Sequence, residues 1–291
     1  MTTALISILL ISSLAVMLAS AAGGLGAILL GFGRQSIAVG GSPSVSVGGS
    51  PTLLRRGAAI ALIIAFALLV AALVVRTVLI GHAPWSNLHE FSLAFAAALI
   101  GTHLVLARTH PLEGLAPLTA LLAAGLVIFA LGLDNRIDPL VPALQQPLLL
   151  TVHVGAAVLA YAVSGVAFVA AAAEIGQARS DDRIPMLPSA AAARAIGHRA
   201  VLIAFPILTI AIALGSVWAN LAWRSYWNND PKELAAAATW LVFGAYLHVA
   251  GRRDRWERLS PWLIVLGFAG VLFTYIGAGL FFIGEHSYAA P

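Results

Sequence analysis

The residues best suited to hold a ligand form an aromatic cluster within residues 215–233, which read GSVWANLAWRSYWNNDPKE. The segment lies between two long apolar runs, and its polar residues predict a short loop. Large rings in a loop that faces water expose apolar area that could otherwise be buried. The cluster is therefore either an anchor at a membrane interface or a platform for a flat, apolar ligand. Its aromatic members are Trp218, Trp223, Tyr226 and Trp227.

Histidines are the best candidates for strong metal ligands in this chain, which contains eight histidines, three methionines and no cysteine. His153 lies about one and a half turns into an apolar run, and His286 lies just past the last run, so the rise of ~1.5 Å per residue puts both near the level of the cluster. Two imidazoles at one level beside aromatic rings are what ligation of a haem iron by two histidines requires. Each is alternatively an ordinary polar residue at the interface.

Two further histidines are predicted at the ends of their helices that lie far from the aromatic cluster. His248 is about fifteen residues, or roughly 20 Å, into its apolar run, which is too far from the outer pair to bind the same iron. Ionisable residues inside a membrane are costly and tend to be functional, so His248 is a candidate ligand for a separate inner site. His103 has a similar depth, but Arg108 follows closely and indicates that the inner interface is near.

Three basic residues are predicted to lie nearest the level of the aromatic cluster: Arg76, Arg224 and Lys232. Cations in a ligand site form charge-assisted hydrogen bonds to carboxylates. These residues are therefore candidates to pair with carboxylates such as the propionates of a porphyrin.

The residues that follow the cluster also predict the start of a helix. Asp230 is suited to the N-cap, Pro231 to the first helical position, and Glu233 to the third, where it completes a capping box. Asn87 and Glu90 are suited to the same arrangement in an earlier helix. Capping explains Asp230 and Glu233 but not the rings upstream, and Asp230 is retained among the candidate site residues.

The composition shows which elements must position these side chains. The chain has 291 residues, of which 60% are hydrophobic and 10% charged, and its mean hydropathy is +0.95. These values exclude an ordinary soluble domain and predict an all-α polytopic membrane protein. Runs near the ~20 residues needed to cross a bilayer can be counted directly. Eight are present, at residues 4–30, 57–80, 91–107, 114–133, 148–173, 200–218, 234–251 and 261–284.

The basic residues predict the orientation of the helices. Twelve of the sixteen lysines and arginines fall in the connections on one side, which the positive-inside rule assigns to the cytoplasm. Both termini and the aromatic segment are then extracytoplasmic. The high isoelectric point follows from this asymmetry and does not indicate nucleic-acid binding. The twelve are Arg34, Arg55, Arg56, Arg108, Arg179, Arg183, Arg194, Arg199, Arg252, Arg253, Arg255 and Arg258.

The sequence predicts three parts along the chain. Residues 1–32 form a peripheral N-terminal helix, residues 33–56 a flexible cytoplasmic linker rich in Gly, Ser and Pro, and residues 57–291 the main transmembrane domain with the 215–233 loop. Residues 191–199 are suited to a short helix on the membrane surface. Because the chain has no cysteine, any thiol chemistry must take place on the cysteines of a partner.

Five segments resemble one protein family. WANLAWRSYWNNDPKE is similar to the tryptophan-rich WWD signature of the haem-handling proteins of cytochrome c maturation, and within them most resembles the CcsA (ResC) family of system II. GHAPWSNLHE, QPLLLTVHVGAAVLAYA, TWLVFGAYLHV and GLFFIGEHSY resemble further segments of that family in the same order. The resemblance covers about residues 80–288.

The resemblance implies a function and a set of partners. It implies haem b at the outer face with His153 and His286 as axial ligands, and a second, inner haem site with His248 as one ligand. It implies a CcsB (ResB)-type membrane subunit, an apocytochrome c with a CxxCH motif, and a thiol-reducing protein. The expected activity is that of the CcsA half of a holocytochrome c synthase (haem lyase), with a positioning role, in the bacterial plasma membrane or a thylakoid-type membrane.

The chain departs from the WWD pattern at two positions, where Arg224 replaces a glycine and Asn229 replaces a tryptophan. Three alternative functions therefore stay open. The chain could be a haem transporter or chaperone without ligation activity, a b-type haem electron-transfer subunit, or a structural subunit that has lost haem.

Overall fold

The computed structural model describes residues 2–32, 51–136, 147–250 and 258–286, and every regular element within them is helical. Eight of its helical segments are long and apolar enough to cross a membrane. The prediction of an all-α protein with eight transmembrane helices is therefore confirmed. The orientation of the termini stays a prediction.

Eight helical spans follow one another along the described residues, and the last span is interrupted by a π-helical turn. Their bounds are α1 Thr2–Phe32, α2 Pro51–Ile80, α3 Leu88–Leu106, α4 Ala116–Leu131, α5 Pro147–Arg179, α6 Ala190–Trp223, α7 Pro231–Ala250 and α8 Ser260–Leu272, which continues through the turn Phe273–Gly277 into α9 Ala278–Phe281. A 3₁₀ turn, Glu113–Leu115, precedes α4.

The centre of the bundle is α5, which packs on α6, α3 and α8. Small residues allow these helices to approach closely, as is common where helices pack in membranes. A Cβ atom at Gly197 of α6 would lie 3.6 Å from the Cβ of Ala170 in α5. A Cβ atom at Gly165 of α5 would lie 2.8 Å from the Cδ1 of Leu99 in α3, so a larger residue there would require the Leu99 side chain to shift.

Helix α1 packs on α2 and α4. Two of its serines donate hydrogen bonds to carbonyls of α2: Ser13 to Ala65 at 2.8 Å and Ser20 to Ala58 at 3.3 Å. Because α2 begins at Pro51, the last six residues of the predicted linker are helical, and residues 33–50 lie outside the described residues. The division into a peripheral helix and a main domain stays a prediction.

Helix α6 is longer at both ends than the sequence predicted. It begins at Ala190, so the predicted surface helix at 191–199 is wrong and these residues form the first turns of α6. The Ser189 side chain caps this end by accepting from the backbone N–H of Ala192 at 3.3 Å. Arg194 then pairs with Glu174 of α5 at 2.7 Å, which draws this turn onto the bundle instead of leaving it on a membrane surface.

At its other end α6 continues to Trp223, so the predicted loop over 215–233 is also wrong in its extent. Trp218 and Trp223 are helical, and only the residues between Trp223 and the start of α7 at Pro231 are irregular. Polarity alone misplaced this boundary, because a helix can extend past its apolar part when its last turns pack on other elements.

The predicted capping box of α7 is confirmed. At α3 the N-cap is confirmed, but Glu90 accepts from the backbone N–H of Ser86 in place of that of Asn87. The Asn87 side chain accepts from the backbone N–H of Glu90 at 2.9 Å and caps α3. Asp230 accepts from the backbone N–H of Lys232 at 2.8 Å, and Glu233 accepts from that of Asp230 at 3.2 Å, which together cap α7. The starts of α3, α5 and α7 lie at the same end of the bundle as the ends of α6 and α9. We call this the cavity end, because residues from these helix ends line one cavity.

Candidate functional site

A cavity opens at the cavity end. It encloses about 1220 Å³ of space free of protein atoms, a figure that includes space open to solvent. Its walls come from the loop before α3 and from α3, α5, α6, α7, the π-helical turn and the chain after α9. His153 and His286, which the sequence predicted at one level, both line it.

His153 is held by the two helices that pack most extensively. Its Nδ1 lies 2.9 Å from the carbonyl oxygen of Ala211 in α6. A carbonyl only accepts, so Nδ1 carries the proton and the lone pair is on Nε2. The ring stacks on Trp218 with centroids 6.1 Å apart and planes 9° apart. Gly215 makes this position possible, because a Cβ atom there would lie 2.7 Å from the Cε1 of His153.

His286 lies beyond α9 and is held by Asp230. The distance from its Nδ1 to Asp230 Oδ1 is 2.8 Å, and its backbone N–H lies 3.4 Å from Oδ2. Because an ionised carboxylate only accepts, Nδ1 is the donor, and in the neutral ring the lone pair is again on Nε2. When His286 is neutral, it therefore has the same tautomer as His153, the one that metal-binding histidines commonly take when a second residue fixes the ring.

The Asp230 carboxylate is ionised although its side chain is 1% exposed. Burial acts to raise the pKa of this group. The hydrogen bond from His286, the positive charge of that ring when it is protonated, and the backbone N–H groups of Lys232 and Glu285 outweigh burial and lower the pKa to about 2. Asp230 thus caps α7 and orients His286 with one carboxylate. Gly284 permits this contact, since a Cβ atom there would clash with the carboxylate.

Two of the predicted tryptophans pack against the imidazoles. The Trp218 ring is 2% exposed, and its centroid is 5.7 Å from that of His286 as well as 6.1 Å from that of His153. Trp223 packs edge-on against Trp218 at 4.7 Å and against His286 at 5.0 Å. Trp218 therefore packs against both histidines.

The other two predicted rings form the rim of the cavity. Tyr226 is 59% exposed and Trp227 is 42% exposed, and both line the opening. Their backbone is fixed by a hydrogen bond from Ser216 to the carbonyl of Tyr226 at 2.9 Å, and the Trp227 indole donates to Asn229 at 2.9 Å. These rings are the part of the cluster that is accessible to a ligand or a partner.

The two departures from the WWD pattern occupy left-handed backbone positions. Arg224 has φ 61° and terminates α6, and Asn229 has φ 55°. A glycine is favoured at the first position, whereas asparagine tolerates the left-handed region better than tryptophan does. Arg224 is exposed and does not line the cavity, so its position does not support the predicted pairing with a ligand carboxylate.

Arg76 is engaged elsewhere. It pairs with Glu90 at 2.8 Å, with the two side chains 5% and 1% exposed, and donates to the carbonyl of Asn135 at 3.0 Å. Glu90 also accepts from the backbone and hydroxyl of Ser86. Arg76 joins α2 to the start of α3, does not line the cavity, and is a poor candidate for a ligand contact.

The two inner histidines lie apart from the cavity. His248 is exposed on the outside of α7, near its last turn. His103 is buried, and its Nδ1 lies 2.8 Å from the hydroxyl of Thr119. His103 is thus a hydrogen-bonded core residue between α3 and α4.

The sequence did not indicate several of the cavity walls. Phe91, Tyr161 and Tyr275 line its inner part, where Phe91 stacks on Tyr275 at 5.1 Å. Tyr275 lies in the π-helical turn and is hydrogen-bonded to Ser92. Tyr161 and Tyr275 fall within apolar runs and gave no signal, and no role was predicted for Trp85 within the GHAPWSNLHE segment.

The comparisons with known proteins agree with this architecture. A family model described as "Cytochrome C assembly protein" matches residues 85–286. The chain is 37% identical over 238 residues to the cytochrome c biogenesis protein CcsA of Chlamydomonas reinhardtii, which covers 76% of this chain and 65% of the algal protein. It is 33% identical over 263 residues to CcsA of Parasynechococcus marenigrum (strain WH8102), which covers 79% of this chain and 86% of that protein.

A solved structure named Cytochrome c Heme Lyase CcmF shares the fold. Its TM-score is 0.64 at 22% identity, and the match covers 93% of this chain and 46% of the CcmF chain. The family model covers most of this chain, and the cyanobacterial relative is matched over most of its own length. The chain belongs to the CcsA family of cytochrome c biogenesis proteins.

Proposed function

We propose that this integral membrane protein acts in cytochrome c maturation by holding haem b, its substrate, between His153 and His286 and presenting it to an apocytochrome c. The single observation that carries the proposal is the matched pair of imidazoles in one cavity. In each, Nδ1 is bonded to a fixed acceptor and Nε2 has the lone pair that an iron ligand needs.

The character of the cavity supports a flat, largely apolar ligand. Its walls are aromatic and aliphatic, with Tyr226 and Trp227 at the rim and Tyr161 and Tyr275 inside. Aromatic faces pack well against a planar ring system. The residues present therefore fit a porphyrin whose iron has two histidine ligands.

The chemistry to be promoted is the addition of two thiols to two vinyl groups. In each addition the sulfur bonds to one vinyl carbon and the thiol hydrogen is transferred to the other, so the step consumes no oxidant or reductant. The two cysteines belong to the CxxCH motif of the apocytochrome, because this chain has none. The contribution of the chain is to fix the position of the haem and keep it accessible at the rim.

The partners follow from the same scheme. A thiol-reducing protein keeps the CxxCH cysteines reduced, and a CcsB (ResB)-type subunit completes the synthase. We assign the cavity to the extracytoplasmic side of a bacterial plasma membrane or a thylakoid-type membrane, on the basis of the basic residues at the opposite end. The exposed position of His248 supports a second, inner haem site to which a partner subunit contributes the other ligand.

The first experiment tests haem binding. The purified chain should show the absorption spectrum of a bis-histidine haem. His153→Ala and His286→Ala should each abolish that spectrum at the cavity site, whereas His198→Ala, at the other end of α6, should leave it unchanged. Normal spectra in both ligand variants would show that the ligands are misassigned, and absence of haem from the wild type would favour a structural subunit.

The second experiment separates ligation from transport. The chain is co-expressed with a CcsB-type subunit and a secreted reporter that carries one CxxCH motif, and covalent haem on the reporter is measured after denaturation. Thioether-linked haem supports the synthase. A haem-loaded chain that never produces it, with the partner present, would instead support a transporter or an electron-transfer subunit.

A further inference from the structure

Lys232 occupies a position in which a lysine does not stabilise its own helix. It follows Pro231, the first residue of α7. The N-terminal turn of a helix favours negative charge, so a lysine there opposes the helix dipole. The capping interactions at this point use the backbone N–H of Lys232 and leave its ammonium out. The side chain therefore has a reason to be there other than helix stability.

The ammonium is directed by packing into the wall of the cavity. Lys232 lines the cavity, and a Cβ atom at Gly279 of α9 would lie 3.7 Å from its Cε and 3.9 Å from its Nζ. The stem therefore lies between α7 and α9, and the side chain is half-buried. Such a stem is held along apolar surface while the charged end keeps access to polar surroundings.

The charges around the cavity leave this cation without a dedicated partner. Among the residues that line the cavity, Lys232 and Glu233 are the two with charged side chains, apart from the histidines. Glu233 already accepts from the backbone N–H groups of Asn228 and Asp230. Asp230, which interacts with the ammonium electrostatically, is committed to His286. Within the part of the chain that the structure describes, the ammonium donates no hydrogen bond to an acceptor side chain or carbonyl.

A half-buried cation in an apolar cavity is costly unless a bound anion completes its shell. We propose that Lys232 is a specificity-determining residue whose ammonium binds a carboxylate of the porphyrin in the cavity. The inference rests on the proposed haem site and adds a requirement to it, namely that the ligand carries a free propionate. Arg76 and Arg224 lie outside the cavity and do not supply this charge.

The test compares haem with its dimethyl ester, which has the same ring and iron but no carboxylate charge. Both are titrated into the purified full chain in detergent, and binding is followed by the bis-histidine absorption bands. The wild type should bind haem at least about tenfold more tightly than the ester, since a charge-assisted hydrogen bond is lost. Lys232→Met should weaken haem binding by a similar factor and leave ester binding unchanged, and Lys232→Arg should restore most of the preference.

The control is Arg136→Met, which removes an exposed cation at the same end of the bundle and should keep the wild-type preference. Equal weakening of haem and ester by Lys232→Met would overturn the proposal, because the effect would be structural. Equal wild-type affinities would overturn it without any variant, even if Lys232→Met fails to fold. If those equal affinities accompany weaker binding of a CxxCH reporter peptide to the variant, the lysine pairs with a peptide carboxylate.

These outcomes separate the two proposals. A bis-histidine spectrum with no preference for free carboxylates would contradict only the role of Lys232. A wild type that binds neither compound through His153 and His286 would contradict the haem site itself and the role of Lys232 with it.

Discussion

Asp230 and His286 are 56 residues apart in sequence and joined by two hydrogen bonds, at 2.8 Å to the imidazole Nδ1 and 3.4 Å to the backbone N–H. The oxygen that accepts from the imidazole also accepts from the N–H of Lys232 in the first turn of α7. One buried carboxylate thus ties the C-terminal part of the chain to the start of α7 and sets the tautomer of a proposed ligand.

Replacing this carboxylate should have two separable effects. Loss of the helix cap in Asp230→Ala should cost about 1 kcal/mol of stability. Loss of the imidazole partner should lower haem affinity about 10–100-fold, which is typical when a residue that orients a ligating histidine is removed. Thermal unfolding and haem titration measure the two effects.

The matched control is Ser189→Ala, which removes the N-cap of α6 at the opposite end. It should cost similar stability and leave haem affinity unchanged. If Asp230→Ala also lowers only the stability, the carboxylate is merely a cap and His286 needs no partner.

Gly215 should be required for the position of His153. In Gly215→Ala the new methyl group would approach the imidazole to about the 2.7 Å calculated for an ideal Cβ, well inside van der Waals contact, so the ring must turn away. We expect the bis-histidine spectrum to be lost or converted to that of a haem with one histidine ligand.

Gly155→Ala is the control, because it lies in α5 beside His153 and a Cβ atom there has no neighbour within 4 Å. That variant should keep its spectrum and gain about 0.5–1 kcal/mol from the better helix former. An unchanged spectrum in Gly215→Ala would mean that the imidazole has another position in the bound protein.

The sequence predicted those features that depend on one helix at a time. Hydropathy located the eight spans, the capping patterns located the starts of α3 and α7, and the rise per residue put His153 and His286 at one level. Each of these is a local property, so it could be counted without knowing which helices are neighbours.

Features that depend on which side of each helix contacts its neighbours could not be predicted. Arg76 has the depth of a ligand contact, but it faces Glu90 and not the cavity. Tyr161 and Tyr275 are indistinguishable from core residues until α5 and the π-helical turn are packed. The predicted span ended at Trp218 because the polarity of the sequence changes there, whereas α6 continues to Trp223.

Arg224 should be replaceable by glycine with a gain in stability. A non-glycine residue in the left-handed region costs roughly 1–2 kcal/mol, so Arg224→Gly should raise the free energy of unfolding by about 1 kcal/mol. Asn229→Gly, at the second left-handed position, should gain less because asparagine tolerates that region. Thermal unfolding provides the comparison. Reduced haem affinity in Arg224→Gly would show that the guanidinium contacts the ligand after all.

The Arg76–Glu90 pair should be structural. Both side chains are almost completely buried, so removal of one partner leaves an uncompensated charge, and Arg76→Met or Glu90→Gln should each destabilise the protein by about 3–5 kcal/mol. The double variant Arg76→Met/Glu90→Gln should recover part of that loss, because neither charge then remains buried alone. Thermal unfolding of all four proteins gives the coupling energy. The folded fraction of each variant should keep the wild-type haem spectrum, since neither residue lines the cavity. Loss of haem in Arg76→Met without loss of stability would instead show that Arg76 contacts the ligand.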